Sequence, residues 1–93
     1  MENQPTTAIK NLNWLIRKSE VSKIYPECVE KSFKGKLPYR MVMDVIKGVG
    51  AGWDNVSESG QGFNHHWYAS KENMGLSYQT KTGLVQFTYY EAI

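Results

Sequence analysis

The sequence predicts an α+β domain in which short N-terminal helices pack on one face of a C-terminal three-stranded antiparallel sheet. Apolar residues recur at helical spacing through the first half of the chain. From Phe63 the spacing changes to alternation, and the residues become aromatic and β-branched, as strands require. Helices followed by strands, rather than interleaved with them, define the class. At 93 residues the chain has material for one core, so residues 1–93 are read as a single domain.

The first helix is expected over residues 7–20, after a polar, disordered N-terminus at residues 1–6. Ala8, Ile9, Leu12, Leu15, Ile16 and Ser19 share one stripe. Thr6 or Thr7 can cap the free N–H groups, and Arg17 and Lys18 suit the negative end of the helix dipole. Tyr25-Pro26 interrupts the pattern, because proline disfavours helix in the residue before it and fits the first position of a new one. A second helix is therefore expected over residues 26–34, with Cys28, Val29, Ser32 and Phe33 inward, Glu27, Glu30, Lys31 and Lys34 outward, and Gly35 as a left-handed cap. A third, over residues 38–48, opens at Pro38 and carries the cleanest apolar stripe: Met41, Val42, Val45, Ile46 and Val49.

Helix propensity collapses at Gly48-Val49-Gly50-Ala51-Gly52, and residues 48–62 read as a Gly/Ser-rich loop. Residues 63–93 form the β-meander, with strands at 63–70, 75–80 and 84–90. Lys71-Glu72-Asn73 and Lys81-Thr82-Gly83 are the turns, Gly83 supplying a positive φ.

Composition narrows the function. Lys+Arg 11 against Asp+Glu 9 gives a net charge of +2, too balanced for a polybasic tail and wrong in sign for a mimic of nucleic acid. With Cys28 as the single cysteine, no intrachain disulfide and no Cys-rich zinc site can form. The polar start has no apolar signal region and no stretch is long enough to span a membrane, so a cytoplasmic protein and a complete small gene product are expected.

No motif fixes a reaction, a cofactor or a metal. His65-His66 offers imidazoles that titrate near neutrality, and Asp54 and Glu58 on the preceding segment can supply carboxylate partners. Adjacent strand residues, however, point to opposite faces and cannot readily share one ion. The glycines at 48, 50 and 52 close a helix instead of opening one, the reverse of a phosphate-binding loop. Cys28 lies on an inner face, where a thiol is a small hydrophobe. The chain is accordingly read as having no catalytic residues, a small His-dependent enzyme being the remote alternative.

The surplus is aromatic, at 13% of residues. Trp14 falls nearly opposite the stripe of the first helix, flanked by Lys10, Arg17 and Lys18, a composition found at binding hot spots. In the last strand Val85, Phe87 and Tyr89 alternate with Leu84, Gln86, Thr88 and Tyr90, and helices can cover only one of these faces. The other is expected to hold Leu84 and Tyr90 beside Tyr78 or Tyr68. The partner-binding candidates are thus Trp14, Lys10, Arg17, Lys18, Tyr78 and Tyr90. The expected function is a non-enzymatic, stoichiometric regulator or inhibitor of a protein partner, of the kind phage and mobile elements encode against host defence. The alternative is a nucleic-acid-binding regulator, since short helices arranged as a turn between Ile16 and Phe33, followed by Gly35-Lys36-Leu37-Pro38 and another helix, have a spacing loosely similar to repressor-type helix-turn-helix proteins. Self-association through an edge strand or an aromatic face is a further expectation, and a membrane partner is not.

Overall fold

The computed structural model describes residues 4–47 and 52–92. Its first helix, α1 (Gln4–Lys18), starts earlier than the disordered segment expected at residues 1–6 would allow. Leu12 and Leu15 of the expected stripe are buried, whereas Ile9 is exposed. Ser19 ends the helix: its backbone N–H and its hydroxyl both donate to the Leu15 carbonyl, at 3.0 and 2.8 Å, satisfying an acceptor the helix end would leave open.

The chain then makes a hairpin where a helix was expected at residues 26–34. Strand β1 (Glu20–Ile24) pairs antiparallel with β2 (Cys28–Lys36) around the turn Tyr25-Pro26-Glu27-Cys28. Pro26 occupies the second turn position, which needs the φ that proline already has. Helix α2 (Tyr39–Lys47) follows, with Val42, Val45 and Ile46 buried; Val49 of its expected stripe and Gly48-Val49-Gly50-Ala51 lie outside the described residues. The Trp53 indole N–H donates to the Val45 carbonyl at 2.8 Å and so closes the last turn of α2.

The second half of the loop expected at 48–62 is strand β3 (Asn55–Gln61), continuing into β4 (Asn64–Lys71), β5 (Met74–Gln79) and β6 (Leu84–Ala92). The expected three-stranded meander is therefore part of a six-stranded antiparallel sheet ordered β1-β2-β6-β5-β4-β3. The β3–β4 turn depends on glycine. Gly62, at φ 58°, is the first residue of the two-residue loop Gly62-Phe63. A Cβ on Gly60, at φ 120°, would lie 2.0 Å from the Asn64 carbonyl oxygen. Strand β6 sits between β2 and β5, so the last strand is interior; the edges are β1 and β3, exposed at every residue.

Both helices lie on one face. Leu12, Leu15, Val42, Val45 and Ile46 pack against Trp67, Ala69, Leu76, Tyr78, Val85, Phe87 and Tyr89 to form the core. Principal extents of 42 × 32 × 21 Å describe a slab only two layers thick, and among the described residues nothing covers the second face of the sheet.

Candidate functional site

The strand register defines the uncovered face residue by residue. One ladder runs Ser32, Thr88, Gly75, Ser70, Asn55; the next Lys34, Gln86, Ser77, Tyr68, Ser57; a third Lys36, Leu84, Gln79, His66, Ser59. From β3 to β6 these ladders contain no Asp, Glu, Lys or Arg. Charge is not scarce in this part of the chain; the pleat sorts it. Glu58, Lys71 and Glu91 share the side of Trp67, Leu76 and Phe87, while Glu72 and Lys81 sit in turns. Across β3–β6 the open face is left with hydroxyls, amides, one imidazole, Leu84 and the rings of Tyr68 and Tyr90, which are 50% and 42% exposed.

The face has relief. Gly75 and Ser77 are small, so Tyr68 stands between two hollows. One, of about 320 Å³, is bounded by Ser70, Gly75, Ser77, Gln86 and Thr88. The other, of about 210 Å³, is bounded by His66, Ser77, Gln79, Leu84 and Gln86. Side chains that both donate and accept hydrogen bonds therefore line a trough divided by an aromatic ridge.

The sequence-expected residues distribute as follows. Tyr90 is on the open face with Leu84 and Tyr68, as the alternation implied, at the far end of β6 opposite Glu30. Tyr78 is not: it is 3% exposed, under the helices, with its ring centroid 6.3 Å from that of Tyr39. Burial and the nearby Tyr39 raise its phenol above the ordinary value of 10.0. The reason is register. A turn of Lys81-Thr82-Gly83 would pair Thr80 with Leu84, but the structure pairs Gln79 with Leu84, and a slip of one residue turns every side chain over.

Trp14 is half-buried, its ring edge-on to Phe33 of β2 at 5.5 Å between centroids. It is therefore not the freestanding ring expected opposite the stripe. Lys18 Nζ lies 5.9 Å from the Trp14 ring, and Lys10 and Arg17 are exposed on the same helix. Residues 26–34, needed as a helix by the helix-turn-helix comparison, are a turn and a strand, so the described residues contain no such motif.

His65 and His66 point to opposite faces, as strand geometry requires. Glu58, one of the two carboxylates flagged in the sequence, pairs with His65 Nδ1 on the helix side. The pair borders a cavity of about 500 Å³ with Tyr39, Phe63, Trp67, Thr80 and Lys81. Thr80 braces this corner, its hydroxyl donating to the Phe63 carbonyl at 2.6 Å and accepting from the His65 N–H at 2.9 Å. Among the described residues no group of three or more His, Cys, Asp and Glu could hold a metal ion. No described helix is long and apolar enough to cross a membrane. No family model, curated protein or solved structure matches the chain.

Proposed function

We propose that this chain is a binding protein that acts stoichiometrically on a protein partner, without catalysis, through the open face of its sheet. The observation that carries this reading is the exclusion of charge from the face across β3–β6, while charges in the same strands take the helix side. Desolvating a charge on association is expensive, and the centres of protein interfaces are accordingly depleted in Lys, Glu and Asp and enriched in tyrosine. Tyrosine with serine and amide side chains is also the composition of antibody paratopes, where rigid rings supply area and small polar groups adapt their hydrogen bonds. A nucleic-acid surface instead needs cations arrayed against phosphates.

The test is affinity capture from a lysate of the cells in which the protein acts, at low and high salt and with and without nuclease, using wild type beside Tyr68→Ala. Tyr68 is half exposed, so its truncation should leave the fold intact, which circular dichroism checks. Capture of a defined protein in near-stoichiometric amount, resistant to nuclease and salt and lost in Tyr68→Ala, is the expected result. Nuclease-sensitive capture, or capture by Tyr68→Ala equal to wild type, overturns the reading.

A further inference from the structure

Where the β1–β2 turn meets the end of β6, Tyr25, Pro26, Glu27, Cys28 and Tyr90 line a notch of about 500 Å³ that is continuous with the open face through Tyr90. Two of its lining residues are tyrosines whose ring centroids lie 6.4 Å apart with planes inclined at 55°. Its margin is anionic. Glu30 is the register partner of Tyr90, and its carboxylate accepts hydrogen bonds from Ser22 Oγ at 2.9 Å and Tyr25 Oη at 3.3 Å, which fix it beside the rings. Glu27, exposed in the turn, contributes a second carboxylate. An amine from the chain already uses one ring: Lys23 Nζ lies 5.0 Å from the Tyr25 centroid. The Tyr90 phenol reports the field, since the negative charge of Glu30, ahead of burial, raises it above its ordinary value.

We propose that this notch receives an arginine side chain of the protein partner. Electron-rich tyrosine rings attract a cation, and the carboxylates add charge-assisted acceptors at the rim. Among protein cations, guanidinium is the planar one: it stacks on a ring while its N–H groups donate in the plane to a carboxylate, a combination an ammonium does not offer. An anionic ligand would meet Glu27 and Glu30 together at this end of the sheet, with Lys23 over the Tyr25 ring as the opposing charge among the described residues. The assignment rests on the open face being the partner-binding surface, whose edge the notch would anchor.

The experiment is a titration of the labelled full chain, followed by amide ¹H–¹⁵N shifts, with three probes: N-acetyl-arginine amide, its neutral isostere N-acetyl-citrulline amide, and tetramethylammonium. Saturable shifts confined to residues around 25–30 and 90 are expected with the arginine probe, with citrulline giving none and tetramethylammonium binding more weakly. In the double variant Glu27→Gln/Glu30→Gln the arginine probe should bind at least about tenfold more weakly. The rest of the spectrum serves as the check on folding, and Tyr90→Leu, at a 42% exposed position, gives a second variant with the same expected loss. Absence of shifts with the arginine probe, equal shifts with citrulline, tetramethylammonium binding as tightly as arginine, or unchanged affinity in both variants overturns the proposal. If partner capture is still lost in Tyr68→Ala under any of these outcomes, only the notch assignment fails; if capture is indifferent to Tyr68, the open-face reading fails with it.

Discussion

Replacing Gly75 by threonine separates the two requirements that meet on β5, a stable strand and an open trough. Gly75 does not have positive φ, and a Cβ there would touch only the Ala69 carbonyl oxygen, at the ordinary distance of 3.9 Å. The fold therefore gains from the substitution. Glycine inside a strand costs about 0.5–1 kcal/mol relative to alanine, and a β-branched residue adds to that on a pleated surface. Stability should rise by about 1–1.5 kcal/mol, roughly 4–12 °C in Tm for a chain of this length. Binding should move the other way. The new side chain projects into the hollow between Tyr68 and Thr88 and displaces whatever the partner places there, so affinity should fall by at least about tenfold, or ~1.4 kcal/mol. Thermal melts by circular dichroism and capture of the partner are measured on the same preparation. A lowered Tm would refute the geometry of β5, and a raised Tm with undiminished capture would refute the role of the trough. Gly35→Ala is the control, because its Cβ would meet Phe33 Cζ at 3.0 Å on the core side and should destabilise.

Gly60→Ala should cost more than ~2 kcal/mol, since the backbone must both leave φ 120° and move away from the Asn64 carbonyl; hydrogen exchange should show β3 losing protection ahead of β5 and β6. Trp14→Ala should lower stability by about 2–3 kcal/mol, comparable to Val45→Ala, because the ring is held against Phe33; a melt unchanged from wild type would return Trp14 to the list of free binding residues. Tyr78 contributes to an alkaline limit. Its phenol is raised in the fold and near 10.0 when unfolded, so its contribution is complete below pH 10 and is lost as pH rises through the higher folded value; Tyr78→Phe should move alkaline unfolding to higher pH, read by circular dichroism.

The elements legible in the sequence are those whose apolar pattern meets the core. Helix α2 and strands β4 to β6 bury one clean stripe or one alternating row each, and their expected bounds agree closely with the observed ones. Strand β2 was illegible because it reaches beyond the helices. Its core-side row is Val29, Lys31, Phe33 and Gly35, in which Lys31 pairs with Glu91 at 2.7 Å, so alternation of polarity is lost and Val29 with Phe33 imitates a helical repeat. Strand β3 is exposed on both faces, and its Ser/Gly-rich sequence signals a loop; what makes it a strand is an unbroken ladder to β4, a tertiary effect. The misplacement of Trp14 follows from the same gap, since the ring it rests on belongs to β2. Tyr90 was legible from alternation alone. Alternation in β6 points to Tyr68 only as a neighbour of Tyr90, and one residue of register turns Tyr78 to the core side. The absence of charge from the open face across β3–β6 is visible only once β3 and the register are known.

That sorting of charge supports a final prediction. A solvated sheet face tolerates lysine or glutamate at little cost, and charges there protect the face and edges from unwanted association. Here Glu58, Lys71 and Glu91 lie instead at the margins of the helix side, where Glu58 and Glu91 need His65 and Lys31 as partners. Ser77, at the centre of the open face between Tyr68 and Gln86, is the position to test. In Ser77→Lys the long side chain can extend into water in the free protein, so stability should change by less than ~0.5 kcal/mol. An uncharged protein interface closing over it would bury an unpaired ammonium, and capture should be lost. A phosphate-bearing partner gives the opposite sign, because an added cation strengthens binding and steepens its salt dependence. Tighter, more salt-sensitive capture by Ser77→Lys would therefore refute the protein-partner reading and assign the face to nucleic acid, whereas loss of capture with an unchanged melt is what an uncharged face built for a protein surface requires.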